Sequence, residues 1–183
     1  FRLLKVPPLL ERATSLVADD TVDESLLGEL DFHRGYLALW LEGNGESASK
    51  HLESARDRLP ESYVELVAET EFDLAIARHM VGQGKVAVKA LEERIQKTTS
   101  PDNMMLSRLV GGQAFIHLLS GDLAPAERAS QRLRAVAEDD DNAHLLAWSD
   151  HLIGLARLQS YRLTEALDSF LSSAELRHIC HIG

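Results

Sequence analysis

Apolar residues recur along this chain at intervals of three and four positions. They do so in residues 27–41, LGELDFHRGYLALWL, and again in residues 145–159, LLAWSDHLIGLARLQ. The spacing i, i+3, i+4 and i+7 puts apolar side chains on one face of an α-helix, whereas a strand would alternate apolar and polar residues. Sustained alternation is absent, so we predict an all-helical chain.

Four stretches of eleven residues align with one another at nearly constant intervals. Their second residue is Gly43, Gly82, Gly121 and then Tyr161, at spacings of 39, 39 and 40 residues, and an alanine stands at the seventh position of all four. A fixed period of this length with matched small residues is typical of repeated helix pairs. The stretches read EGNGESASKHL (42–52), VGQGKVAVKAL (81–91), SGDLAPAERAS (120–130) and SYRLTEALDSF (160–170).

Each repeat is predicted to hold a long first helix, a glycine turn and a shorter second helix, because a glycine just past a helix end adopts the left-handed conformation without steric cost. Ser100 and Pro101 are expected to be the N-cap and first residue of one first helix. First helices are expected at 23–42, 61–81, 101–120 and 141–160, second helices at 45–58, 85–97, 122–137 and 164–178, and residues 7–18 as the second helix of a preceding repeat.

The predicted architecture is an all-α, right-handed solenoid of about four helix pairs. It forms a single repeat domain over residues 1–183, because one pair cannot bury its apolar face without its neighbours. The chain starts at Phe1 rather than Met, so we expect it to be a piece of a longer protein. The repeats span about 23–60, 61–100, 101–140 and 141–178, with residues 1–20 left over from a preceding repeat.

Composition and charge argue against several classes of function. The chain is 45% apolar and 26% charged, as in soluble domains, and no apolar run approaches the ~20 residues that a membrane span needs. No basic segment followed by an apolar stretch opens the given sequence, so we expect no signal peptide within it. The single cysteine, Cys180, rules out an internal disulfide and favours a reducing, cytoplasmic location. A net charge of −10 counts against binding nucleic acid or an anionic membrane, which needs clustered Lys and Arg.

The stretch VGQGKVAVKAL resembles part of a phosphate-binding loop, because a glycine and a lysine precede an apolar run. A complete loop reads G-x-x-x-x-G-K-[ST] and follows a buried strand. Here Lys85 is followed by Val86, His79 stands where the first glycine should be, and the preceding segment has helical periodicity. We therefore predict that this stretch is the turn between the two helices of the second repeat.

No other cluster favours catalysis or metal binding. His178, Cys180 and His181 stand close together, but zinc sites usually draw their ligands from two separated pairs. Adjacent carboxylates such as Glu92 and Glu93 are typical of solvated helix faces. A nucleophile elbow is absent. We expect no catalytic residue, metal or cofactor in this segment.

Two sets of residues carry a family resemblance. The order Phe32…Ala48-x3-Leu52-x2-Ala55…Pro60 follows the aromatic, small, large, small, proline order of tetratricopeptide repeats, although the usual tryptophan and tyrosine of the first helix are missing. Segments 28–60 and 112–133, and more loosely 174–178, resemble the helical sensor region of MalT-like, LuxR-type ATP-dependent transcriptional regulators. That resemblance implies a tetratricopeptide-like superhelical solenoid in a cytoplasmic regulator, between a nucleotide-binding module and a helix-turn-helix domain that these residues do not contain.

The tetratricopeptide resemblance implies a concave groove lined by the first helices. Aromatic side chains with a few polar tips are typical of grooves for small molecules or peptides, but packing between helices would explain the same residues. His33 and His151 fall at equivalent positions. By register, the expected groove residues are His33, Leu37, Trp40, Phe72, Ile76, His79, Arg108, Phe115, Leu118, Trp148, His151 and Leu155.

The leading functional hypothesis is a sensing or scaffolding segment without catalysis. It would bind a small-molecule inducer or a regulatory protein in the groove and bias the regulator that contains it. The alternative is a general adaptor that holds a peptide in the same groove. Contacts between chains are also expected through exposed apolar ends, around Leu3, Leu4, Leu9, Leu10, Ile179 and Ile182.

Overall fold

The computed structural model describes residues 6–16, 23–98 and 103–182. Within these ranges the chain is helical apart from short turns, and it contains no strand. The prediction of an all-α protein is confirmed. The helices are α1 (Val6–Leu16), α2 (Glu24–Trp40), α3 (Gly45–Arg58), α4 (Val64–Met80), α5 (Gly84–Lys97), α6 (Asn103–Ser120), α7 (Leu123–Asp139), α8 (Ala143–Gln159) and α9 (Leu163–Ile182).

The observed helix ends lie within four residues of the predicted ones, and polar side chains mark three of the starts. Asp23, Asn44 and Asn142 each accept a hydrogen bond from a backbone N–H of the first helical turn, at 3.1, 3.0 and 3.0 Å. Such N-caps satisfy amides that have no partner inside the helix. The predicted cap at Ser100 and Pro101 lies outside the described residues.

The four aligned turn positions share one backbone conformation. Gly43, Gly82 and Gly121 have φ of +65°, +80° and +77°, and Tyr161 has φ of +59°. Only glycine takes this left-handed conformation without strain, so Tyr161 is the exception among the four. Residues 81–83 of the stretch VGQGKVAVKAL form the turn between α4 and α5, as predicted, and residues 84–91 are the first part of α5, so the stretch follows a helix rather than a strand.

The chain divides into two compact units, Phe1–Ala87 and Val88–Gly183. In the first unit α2 packs against α3, α3 against α4, and α2 also contacts α1 and α4. The centre holds Ala48, Leu52 and Ala55, each 0% exposed. A Cβ at Gly35 would lie 2.5 Å from Leu52 Cγ, so the glycine allows this leucine to pack against α2.

In the second unit α6 packs against α7, α7 against α8, α8 against α9, and α6 also contacts α8. Its core includes Val110, Ala114, Leu133 and Leu152, all 0–2% exposed. Within the described residues of each unit, every packing contact joins helices that are adjacent or next but one in the chain.

Buried carboxylates join helices in both units. Asp31, 4% exposed, accepts hydrogen bonds from Arg34 (3.0 Å), Ser54 (2.6 Å) and Arg58 (3.1 Å). Asp150, 5% exposed, accepts them from Arg134 (2.9 Å) and Ser172 (2.6 Å). Arg34 lies on the same helix as Asp31, and the other partners lie on neighbouring second helices. The cost of burying each carboxylate is therefore offset by hydrogen bonds that form when the helices pack.

Arginine–glutamate pairs connect a second helix to the first helix that follows it. Arg78 on α4 lies 2.8 Å from Glu53 on α3, and Arg157 on α8 lies 2.8 Å from Glu127 on α7. Burial raises the pKa of Glu127, but hydrogen bonds from Arg157 and Arg162 outweigh it and hold the pKa below its usual value. No helix in the described part of the chain is long and apolar enough to cross a bilayer.

Two of the apolar end residues are described. Leu9 on α1 is 63% exposed, whereas Leu10 is half-buried and lines a cavity beside α2. The side chains of Leu3, Leu4, Ile179 and Ile182 lie outside the described residues, as do those of His178, Cys180 and His181.

Candidate functional site

The first of two clefts between first helices lies where α2 meets the start of α4. It holds a cavity of about 600 Å³ and is walled mainly by apolar side chains. Phe32 on α2 forms one wall of the cavity, and residues at the start of α4 and just before it form the opposite wall. We call it the α2/α4 cleft. Its lining residues are Phe32, Ser62, Tyr63, Val64, Glu65, Leu66 and Glu69.

An aromatic stripe runs along α2 away from this cleft. Phe32, Tyr36 and Trp40 follow one another at a spacing of four residues, with ring centroids 6.2 and 6.5 Å apart. Phe32 is buried, whereas Tyr36 is 36% exposed and Trp40 49% exposed. The Trp40 indole N–H donates a 3.0 Å hydrogen bond to the carboxylate of Asp73, which is 3% exposed. This bond orients the indole and partly compensates the buried charge.

The second cleft lies between α6 and the start of α8 and holds a cavity of about 420 Å³. Trp148 stands on α8 and packs one edge of its indole against Gly111, where a Cβ would lie 2.4 Å from Cη2 and Cζ3 of the ring. Asn103 hydrogen-bonds Asp140 across the mouth. We call it the α6/α8 cleft. Its lining residues are Asn103, Met104, Ser107, Arg108, Asp140, Asn142, His144, Leu145 and Trp148.

The two clefts occupy equivalent places but differ in chemistry. Leu66 in the first corresponds to Leu145 in the second, 79 residues on, the same interval that separates the turn residues Gly82 and Tyr161. At the same interval, Glu65 corresponds to His144 and Glu69 to Trp148. The α2/α4 cleft therefore has acidic and apolar walls, whereas the α6/α8 cleft combines an indole with an arginine, an imidazole, amide groups and the carboxylate of Asp140.

The structure distributes the predicted groove residues over several environments. Arg108 and Trp148 lie together in the α6/α8 cleft, and Trp40 lies exposed at the end of the aromatic stripe. Leu37, Ile76 and Leu118 are only 6%, 4% and 6% exposed, so their side chains pack inside the units. His33 is exposed, and Phe72, His79, Phe115, His151 and Leu155 are half-buried, with the His151 ring 5.6 Å from that of Phe170.

Most cleft-lining residues were not anticipated by counting along the first helices. Tyr63 immediately precedes α4 and His144 lies in the first turn of α8, nine and four residues before the first groove positions predicted on those helices. The signal that could have found them is the N-cap. Asn142 caps α8 and lines its cleft, so the start of the helix faces the cavity.

A search for metal-binding arrangements finds no group of three or more His, Cys, Asp or Glu side chains in the described part of the chain. Comparisons with known proteins return no relative: no family model matches the chain, and no curated protein matches it significantly.

Proposed function

We propose that this chain is a binding module of tetratricopeptide-like helix pairs, stacked as a right-handed superhelical solenoid, whose α6/α8 cleft receives a small-molecule inducer. Two observations support the repeat arrangement. Left-handed turns recur at Gly43, Gly82, Gly121 and Tyr161, and within each unit the helices contact only their near neighbours in the chain. Neighbour-only packing is the defining property of repeat arrays.

The α6/α8 cleft is the observation on which the binding role depends. Its 420 Å³ falls within the 300–1,000 Å³ range typical of small-ligand sites. Trp148 offers a flat apolar surface, while Arg108, Asn103 and His144 supply hydrogen-bond donors around it. A planar ligand with an acidic or carbonyl group would use both parts of this lining.

In this proposal the segment acts inside a cytoplasmic transcriptional regulator of the LuxR type. Support for that role comes from the resemblance of segments 28–60 and 112–133 to the MalT-like sensor region. Inducer binding would bias the regulator only through a different affinity for its two states. The coding sequence around this segment tests the role: a nucleotide-binding module before it and a helix-turn-helix after it would support the regulator, and a parent chain with neither would overturn it.

A thermal-shift screen of the chain against sugars, amino acids, nucleotides and short peptides tests the binding role. A ligand that binds only the folded state adds about 2.7 kcal/mol at 100 times its dissociation constant, a shift of several degrees. We expect a hit that Arg108→Gln and His144→Ala weaken at least tenfold. Lys97→Gln, which removes an exposed charge outside both clefts, serves as the control.

Trp148→Ala is unsuitable as the sole test variant, because the indole also packs against Gly111 and its loss would loosen the unit. A hit equally affected by Lys97→Gln would place the ligand elsewhere. Absence of any small-molecule hit would contradict the inducer role.

The aromatic stripe favours a second candidate function, a peptide-binding adaptor. Tyr36 and Trp40, 36% and 49% exposed, present neighbouring aromatic rings on α2 of the first unit. Exposed aromatic residues of this kind are the usual anchors of peptide interfaces. Peptide hits that are lost with Tyr36→Ala and kept with Arg108→Gln would favour the adaptor over the sensor.

A further inference from the structure

A cavity distinct from both clefts lies at the interface between α5 and α6, which lacks the arginine–glutamate ion pair found between α3 and α4. The interface between α3 and α4 is joined by Arg78 and Glu53. Thirty-nine residues further on, the interval between Gly43 and Gly82, the corresponding residues are His117 on α6 and Glu92 on α5. Both members of the α5 and α6 pair belong to the second unit.

The imidazole of His117 does not replace the arginine. The side chain is 15% exposed, and its Nδ1 atom is buried without a hydrogen-bond partner. The nearest carboxylate, Asp122, lies 3.5 Å from Nδ1 and forms no hydrogen bond with it. Glu92 instead accepts a 3.1 Å hydrogen bond from the side-chain amide of Gln113. The shorter histidine therefore leaves space where the arginine lies in the preceding interface.

That space is a cavity of about 410 Å³, bordered by α5, α6 and the first half of α7. Its volume falls within the range of small-ligand sites. The lining is mostly polar, unlike that of the α2/α4 cleft. The lining residues are Glu92, Gln113, His117, Pro125, Arg128, Ala129 and Arg132.

Two arginines give the cavity its charge. Arg128 and Arg132 are one turn apart on α7, so their side chains share a face of the helix. Neither makes a hydrogen bond or ion pair with any described residue, in contrast to Arg134, Arg157 and Arg162 of the same unit. Glu92 lines the same cavity but forms no ion pair with either arginine, and it accepts a hydrogen bond from Gln113.

We propose that this cavity binds a small organic anion, a carboxylate or a phosphate, between Arg128 and Arg132, with His117 at its inner wall. Paired guanidinium groups bind planar carboxylates and phosphates through several N–H donors at once. The inference does not depend on the proposed inducer site, which lies in the α6/α8 cleft and uses other residues.

The test is an NMR titration of the whole chain with inorganic phosphate, succinate and sodium chloride at constant ionic strength. The arginine Nε–H and histidine imidazole resonances report on the cavity directly. We expect saturable shifts of the Arg128, Arg132 and His117 signals with phosphate, succinate or both, and none with chloride. Phosphate alone identifies a phosphate ligand, and succinate alone identifies a carboxylate.

Variants locate the site. The double variant Arg128→Gln/Arg132→Gln should raise the dissociation constant at least tenfold, and Lys97→Gln on α5, outside the cavity, should leave it within twofold. His117→Arg should form an ion pair with Glu92, as Arg78 does with Glu53, and so occupy the inner part of the cavity. It should raise the melting temperature and weaken anion binding at least tenfold.

Three results would overturn the proposal. The first is no saturable shift with either anion. The second is equal loss of binding in the double variant and in Lys97→Gln. The third is undiminished binding in a folded His117→Arg variant. The α7 substitutions change exposed residues, so they keep the test decisive if the histidine variant does not fold.

Discussion

The first and second units carry chemically different residues where two first helices meet, α2 with α4 in the first and α6 with α8 in the second. At the contact between α2 and α4, Trp40 donates a hydrogen bond to the buried carboxylate of Asp73. At the corresponding contact between α6 and α8, the turn spacing aligns Trp40 with Leu118 and Asp73 with Leu152, both buried in the apolar core. Corresponding positions thus hold a polar pair in the first unit and two apolar residues in the second.

The same contrast appears at the cleft walls. Trp148 packs on Gly111 in the second unit, and the corresponding residues in the first unit are Glu69 and His33. The α2/α4 cleft, which has Glu69 in place of that indole, holds about 600 Å³, against about 420 Å³ for the α6/α8 cleft. The two clefts therefore differ in size and in the side chains that line them.

The largest predicted effect comes from giving the second unit, at Leu152, the carboxylate that the first unit has at Asp73. Leu152→Asp would bury a carboxylate in a core whose residue 118 offers no donor, at a cost of about 3–5 kcal/mol. Urea unfolding should show the loss. Leu158→Asp makes the same change at a 44% exposed position and should cost less than about 0.5 kcal/mol. Equal stability of the two variants would contradict the comparison.

Gly111→Ala should cost about 2 kcal/mol, because its Cβ would lie 2.4 Å from the Trp148 ring and overpack the α6/α8 contact. The fluorescence of Trp148, measured in a Trp40→Phe background, should change with the displaced ring. His33→Ala, at the corresponding position on α2, changes an exposed side chain and should be nearly neutral. An unaltered emission spectrum together with wild-type stability would show that the ring does not rest on the glycine.

Trp40→Leu should cost about 1–2 kcal/mol, because the buried Asp73 carboxylate loses its indole donor. The double variant Trp40→Leu/Asp73→Leu copies the second unit's pair and should recover most of that loss. Equilibrium unfolding of both single variants and the double variant completes the cycle. Simple additivity of the two single effects would mean that the residues are not coupled.

The smallest predicted effect concerns the turns. Tyr161→Gly should stabilise the chain by about 1 kcal/mol, because the tyrosine has φ of +59° and is 88% exposed. Gly82→Ala should cost a similar amount at the corresponding turn, since nothing lies within 4 Å of the added Cβ and the effect is conformational only. Melting temperatures of the two variants should move in opposite directions, and a shared direction would disprove the common role of the turns.

The helices and their turns could be predicted from the sequence because local rules determine them. Apolar spacing located all four first helices, and the glycine at 43, 82 and 121 marked the change of direction after three of them. Tyr161 was placed in the same role by the interval alone, and its backbone has the left-handed conformation. These features depend on residues within a few positions of one another.

The groove side chains could not be predicted with the same accuracy. A first helix such as α4 packs against helices on more than one side, so its buried residues, among them Val67, Leu74 and Ile76, do not form a single narrow stripe. Without such a stripe the apolar pattern does not show which face remains open. Leu37 and Ile76 satisfied the predicted register yet lie inside the units, while Tyr63 and His144 line the clefts from the helix starts.

By itself the sequence determined the all-helical class, the helix bounds and the positions of the turns, because backbone propensity and short-range spacing are encoded locally. Tertiary structure alone decided which side chains meet: that Trp40 reaches Asp73, that Trp148 rests on Gly111, and that His117 leaves a cavity beside Arg128 and Arg132. Those contacts join residues 11 to 37 positions apart, and their distances depend on how the helices pack.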